Sequence, residues 1–281
     1  MRQAVAVATN LTKVWLLLAI PAALMGFAGW ELGGYRLSIL FAGSVVLLGA
    51  ALYWYADRIG MGIVGAREFL PGEAPALHAA VESLAARAGV ARPRLYLLGD
   101  GYPRALSAGR GAGGGSALAI STGLLGVATP AELEGVVAHE LAHLRRRDVL
   151  VQTAAVTIAV ALVEASRLGG WFQRALLFVL GPLAASFVHL MLSPKREYEA
   201  DRLASALCDS PHGLADALLR LEQSMGLVDF EASPATEPLY TANPFAEEGL
   251  AALFVTHPPL GERVRRLRAL DPEWRERLRA A

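Results

Sequence analysis

Cysteine and lysine are almost missing from this chain of 281 residues: Cys208 is the single cysteine, and Lys13 and Lys195 are the lysines. One thiol makes no intrachain disulfide and no cysteine-based zinc site, so a secreted disulfide scaffold is excluded. Charge is scarce as well. Only 19% of the residues are charged, against about 25% in ordinary soluble domains. The 26 basic and 26 acidic residues cancel, which leaves no global basic surface for nucleic acid. There is no internal repeat. The glycine-rich stretch 109–115 lacks the Gly-Lys-Ser/Thr ending of a phosphate loop and reads as a hairpin connection.

What is present instead is apolar surface. Hydrophobic residues make up 54% of the chain and the mean hydropathy is +0.39. Residues 14–30 and 37–56 are uncharged apolar runs, approaching the roughly 17–25 residues that cross a bilayer as a helix. The second ends in Tyr53, Trp54 and Tyr55, an interfacial aromatic cluster. Their short link, with Glu31, Gly33 and Gly34, predicts a helical hairpin. No small-residue cleavage site precedes the second run, so the pair reads as an anchor rather than a signal peptide. Runs 149–163 and 175–192 predict a second hairpin, the former short for a span and carrying Gln152, Thr153 and Thr157, the latter Pro182 and His189; the alternative for either is a buried or partly inserted helix.

Basic residues cluster outside the hairpins. Arg2, Lys13, Arg58, Arg67, Arg145, Arg146, Arg147, Lys195, Arg196 and Arg202 flank them, whereas Arg36, Arg167 and Arg174 lie in the connecting loops. The positive-inside rule then predicts an integral membrane protein with both termini and both polar regions in the cytoplasm. The chain divides into an N-terminal hairpin (1–60), a first polar part (61–148), a second hairpin (149–193) and a second polar part (194–281).

In the first polar part, Leu77, Val81, Leu84 and Ala85 recur at helical spacing before a capping Gly89. Short strands are predicted over 94–98, 106–108 and 117–121. Thr129-Pro130-Ala131-Glu132 is a capped helix start, and that helix should run through the arginines at 145–147. The second polar part begins with a helix through Cys208. It continues with a loop near 232–244 and an Arg-rich amphipathic helix from Gly261 onward.

On the helix from Thr129 lies His139-Glu140-Leu141-Ala142-His143. Residues four apart share a helix face, so both imidazoles can reach one zinc ion. Glu140, at the margin of that face, can take a proton from the water such an ion activates. This is the pattern of a zinc metallopeptidase. A catalytic zinc needs a third protein ligand, and Arg196-Glu197-Tyr198-Glu199-Ala200-Asp201 offers Glu197 or, on another face, Glu199. Spacing alone does not choose. Asp201 shares the face of Glu197 and can orient a ligating imidazole. Of the other histidines, His78 reads as an exposed helix residue, His212 as a turn residue and His189 as a packing residue.

The block His139–His143, then Arg147-Asp148-Val149-Leu150, then Arg196–Asp201, with Thr256-His257-Pro258-Pro259, Arg263 and Arg266, resembles the M48 metallopeptidase family, HtpX-type membrane heat-shock proteases in particular. The resemblance implies an α+β fold: a mainly helical, membrane-anchored gluzincin-type metallopeptidase with a small β-sheet beside the His-Glu-x-x-His helix and two hydrophobic hairpins. It implies Glu197 as third ligand of one zinc per chain, Asp201 as its supporting carboxylate, and His257 and Arg263 as stabilisers of the oxyanion. The implied substrates are polypeptides, damaged membrane proteins above all. The implied setting is the lipid bilayer of a bacterial inner membrane, with no nucleic acid. The chain departs from the family at Arg104-Ala105-Leu106-Ser107, where Asn-Ala-Phe-Ala is usual; that alters local substrate contacts. Since extended peptides add to exposed sheet edges, Ala117, Leu118, Ala119, Ile120 and Ser121 are expected to form the substrate-binding edge. Competing readings are a processing protease for prenylated C-terminal peptides and a non-catalytic membrane scaffold.

Overall fold

The computed structural model describes residues 2–208, 210–224, 233–241 and 253–271. The first two apolar runs form one element, α1 (Arg2–Ile63), folded back on itself at Gly33 and Gly34. Gly34 takes φ 69°, which glycine adopts without a Cβ penalty. The arms approach closely beside it, since a Cβ on Gly29 would sit 2.4 Å from the Leu37 carbonyl oxygen.

A short strand β1 (Arg67–Glu68) and helix α2 (Pro75–Ala88) follow, the helix ending on a left-handed Gly89. Strands β2 (Arg94–Leu98), β3 (Ala105–Gly109) and β4 (Ser116–Ser121) complete a sheet of order β1-β2-β4-β3. β2 and β4 run parallel, while β1 on β2 and β3 on β4 are antiparallel. The expected substrate edge is therefore corrected. Ala117, Leu118, Ala119, Ile120 and Ser121 lie in an interior strand whose backbone groups pair on both sides. β3 is the edge, because the tight glycine-rich hairpin turns it to the outside of β4.

After α3 (Thr122–Val127) comes α4 (Pro130–Arg146), opened by a full capping box between Thr129 and Glu132. It stops at Arg147, a non-glycine residue at φ 59°, and α5 (Asp148–Ala165) starts at once. A 3-10 turn (Ser166–Phe172) leads to α6 (Gln173–Met191), and then come α7 (Lys195–Leu207) and α8 (His212–Ser224). A second 3-10 turn (Pro234–Leu239) and α9 (Leu260–Ala269) close the described chain. The loop expected near 232–244 is described over 233–241, where it is this turn. The expected C-terminal helix beyond 271 lies outside the described residues.

Among the described residues two stretches are long and apolar enough to cross a membrane, Pro21–Ile63 and Gly170–Met191. Phe27, Trp30, Leu47, Leu48 and Trp54 on the first, and Phe178 and Leu190 on the second, are exposed. Contiguous apolar surface of that kind marks a lipid contact. α5, the other arm of the second hairpin, is instead enclosed by protein. Val149, Val151, Ala155, Val156 and Ala159 are buried, and its Gln152 amide donates to the Pro238 carbonyl at 2.6 Å.

Alternation along the strands splits the core into two layers. Leu95, Leu97, Leu118 and Ile120 face α2, α4 and α8, while Tyr96, Leu98, Ala117 and Ala119 face α1 and α5. His78, expected to be exposed, is buried where α2 meets the sheet and bonds the Phe69 carbonyl at 2.9 Å. His212 opens α8 and meets Asp271 at 2.9 Å. His189 is exposed and reaches the Leu253 carbonyl at 2.9 Å.

Backbone-close packing of α8 on α4 holds the helix that carries the histidines. A Cβ on Gly135 would sit 2.5 Å from the Leu214 nitrogen, whereas one on Gly62 meets nothing within 4 Å. Gly135→Ala should destabilise the purified protein by about 1–3 kcal/mol in detergent unfolding, with Gly62→Ala at or above wild type. Equal stability of the two variants would contradict this packing.

Candidate metal centre

α4 is pinned by its cap and buried between the sheet, α7 and α8, so its inward face brings His139, Glu140 and His143 into the core. The two Nε2 atoms stand 3.2 Å apart. From the first turn of α7, Glu197 places Oε2 3.4 Å from His139 Nε2 and Oε1 3.6 Å from His143 Nε2. Glu199 is left out: its exposed carboxylate pairs with Arg146 on the surface.

The far sides of both rings meet carboxylates. Asp201 Oδ1 lies 3.0 Å from His139 Nδ1, and Asp148 Oδ1 lies 3.1 Å from His143 Nδ1. Asp148 carries no signal of this role in the sequence. Five positions after His143, it would point away on a continuous helix. The left-handed Arg147 breaks the helix and swings Asp148 back.

Carboxylates at Nδ1 assign the proton there and leave the Nε2 lone pairs facing inward. Two lone pairs at 3.2 Å beside a carboxylate repel unless positive charge offsets them, and Arg263 Nη2, 3.4 Å from His139 Nε2, supplies part of it. Neither Glu197 oxygen accepts a hydrogen bond, although Arg196 Nε lies 3.1 Å from Oε1. The same demand shows in proton affinity. Burial favours neutral imidazole, but Asp148 and then Glu197 outweigh it and push His143 up to about 10. His139 is raised in the same way by Asp201 and Glu197. Burial would raise Glu197, yet the facing His143 and His257 hold it well below the usual carboxylate range.

The donor set fits a metal ion. Its three donors lie within 4.8 Å of one another. A tetrahedral ion with bonds of roughly 2.0–2.1 Å separates its ligands by about 3.3 Å, close to the 3.2, 3.4 and 3.6 Å found here.

Glu140 lies beside this cluster with both oxygens fixed. Ser107 Oγ, on the edge strand, donates to Oε2 at 2.7 Å. The Thr241 hydroxyl, with one proton to give, lies 2.8 Å from Oε1 and 3.1 Å from the Ala105 carbonyl. Arg263 is fully buried and grips Asp201 with two bonds of 2.9 and 2.7 Å, while Nη1 donates to the Thr241 carbonyl. Burial opposes these charges, but pairing wins: Asp201 is pulled down to about 2 and Arg263 is raised. His257 Nε2 is 3.7 Å from Glu197, and its Nδ1 meets Glu237 at 2.8 Å. Glu237 also accepts from Thr256 through both backbone and hydroxyl. Buried in a proline-flanked turn, Glu237 gave only a weak signal in the sequence.

The model of peptidase family M48 matches residues 71–271. The chain belongs to that family. It is similar to proteins named protease HtpX homolog from several organisms. That of Pelotomaculum thermopropionicum is 37% identical, over 93% of this chain and 99% of the relative. That of Acidiphilium cryptum is 38% identical over 92% and 96%, and that of Pyrococcus abyssi 35% over 93% and 96%. Among solved structures, that of S. mikatae Ste24p aligns at TM-score 0.47 and 16% identity, covering 95% of this chain and 66% of that one. This M48 peptidase is thus a metalloprotease, and its likeness to the HtpX homologs together with its apolar helices marks it as a membrane protein.

Asp148→Asn removes the carboxylate behind His143 and should weaken metal affinity about 10–100-fold. Competition with a chromophoric chelator measures it, and unchanged affinity would deny Asp148 this part.

Proposed function

We propose that this M48 peptidase is a zinc-dependent endopeptidase of the cell membrane that cleaves misfolded or damaged membrane proteins at a cytoplasm-facing site. The observation carrying the reading is the buried convergence of His139, His143 and Glu197 beside the doubly anchored Glu140. The first and second polar parts, 61–148 and 194–281, form one peptidase unit; 1–60 and, of the segment 149–193, the arm α6 are its membrane anchor, while α5 packs inside that unit. The excess of arginine outside the hairpins supports the cytoplasmic orientation.

His139, His143 and Glu197 would hold one zinc per chain, a nitrogen and oxygen donor set that suits this metal. When bound, the ion polarises the scissile carbonyl and acidifies water. Glu140 takes the proton of that water on a lone pair left free beside Ser107 or Thr241, and returns it to the leaving amine. Asp148 and Asp201 hold the imidazoles in register. Arg263 binds Asp201 and the Thr241 carbonyl and also brings Nη2 to 3.4 Å from His139 Nε2, so it is a positioning residue for Asp201 at the rim of the metal site. His257, tied at Nδ1 to Glu237, is the side chain placed to meet negative charge on the carbonyl oxygen.

Substrate would lie along β3, the edge strand that carries Ser107 to Glu140. Backbone pairing there gives affinity without sequence preference. Tyr240 already bridges Leu106 at one end of that edge, and Thr241 bonds Ala105. At the other end the Gly109 N–H is held by Thr153 of α5, so pairing a peptide along β3 requires this strand to be uncovered.

Glu140→Gln should lower cleavage of casein or a membrane substrate by about 10²–10⁴-fold while retaining one metal ion per chain. Full activity in that variant sinks the mechanism.

A further inference from the structure

Away from the metal centre, a cavity of about 330 Å³ opens where the end of α1 meets the sheet. Arg58, Arg92, Arg94 and Arg110 line it, against a single acidic residue, Asp57. Asp57 is buried and pairs with Arg94. Arg92 is bound to Glu82 at 2.8 Å and to His78 Nδ1 at 2.9 Å. Arg58 and Arg110 have no carboxylate partner among the described residues.

Those two are held by aromatic rings instead. The Arg110 guanidinium stands 4.7 Å from the centre of the Trp54 ring and 5.5 Å from that of Tyr53, and Arg58 stands 5.8 Å from that of Tyr55. Arg110 is folded against Gly115 so tightly that a Cβ there would sit 2.2 Å from its Nε, a buried donor with no hydrogen-bond partner. The Arg110 charge is therefore fixed in the wall of the cavity, while Arg58 stands exposed at its mouth.

Depth is set by α1. About twenty residues separate the hairpin turn at Gly34 from Trp54. At 1.5 Å per residue they span ~30 Å, the thickness of the hydrocarbon core. Trp30 and Tyr35 flank the turn, and the exposed Tyr53, Trp54 and Tyr55 mark the other level. The cavity thus lies at headgroup depth beside an aromatic belt.

We infer that this cavity binds the phosphate of an anionic phospholipid, with Arg58 and Arg110 as its principal contacts. An excess of unpaired guanidinium favours a lipid with net negative charge over a zwitterionic one, whose ammonium it repels. The site rests on membrane insertion and is independent of the protease chemistry.

The test is native mass spectrometry of the full chain released from detergent containing phosphatidylglycerol or phosphatidylcholine, with inorganic phosphate as a third arm. Phosphatidylglycerol should be retained as one adduct, about tenfold or more above phosphatidylcholine. Arg58→Gln combined with Arg110→Gln should lower that retention at least about tenfold. The exposed single variant Arg58→Gln, which loses no ion pair, should weaken it in part. Arg265→Gln, paired only with Glu262 on the far surface, should leave it unchanged. Equal retention of the two lipids, or full retention in the double variant, overturns the site. Displacement of the lipid by millimolar inorganic phosphate overturns the lipid assignment in favour of a soluble anion.

Discussion

Two buried imidazole nitrogens and the buried Glu197 carboxylate are forced together within 3.2 to 3.6 Å of one another. Such a cluster is repulsive in a low-dielectric interior unless a cation joins it. Much of the surrounding structure serves that constraint. Asp148 and Asp201 turn the rings inward, Arg263 neutralises Asp201, and Arg196 stands beside Glu197 while bonding Gln152 of α5. The hydrophobic hairpin between α4 and α7 is thereby tied to the site as well as to the membrane.

The fold delivers these groups from elements far apart in sequence. α4 and α7 supply the donors across a hairpin, and the turn before Thr241 and helix α9 add the outer layer. The sheet supplies one hydroxyl, from Ser107 on its edge strand. β3 is buried along its length, and its Ser107 hydroxyl ties the sheet to Glu140 by one hydrogen bond.

Much of this was legible in the sequence because it is local. Helix α4 is written in its capping box, the sharing of one face by His139 and His143 in their spacing, and the hairpins in runs of uncharged residues. Longer-range facts were not. Period-two alternation says which residues of a strand share a face, but not its place in the sheet, so nothing in 117–121 distinguishes an interior strand from an edge. The role of Asp148 depends on one left-handed residue, Arg147, that no propensity announces. Burial of His78 and of α5 depends on partners tens of residues away. The choice of Glu197 over Glu199 needed a resemblance in the sequence, and geometry later supplied the physical reason: one faces the imidazoles and the other faces Arg146.

The most direct test is anomalous scattering at the zinc absorption edge from crystals of the purified protein. One peak per chain, within about 2.0–2.2 Å of His139 Nε2, His143 Nε2 and a Glu197 oxygen, is the predicted result. A peak elsewhere, or imidazoles turned apart with no ion between them, would contradict the account.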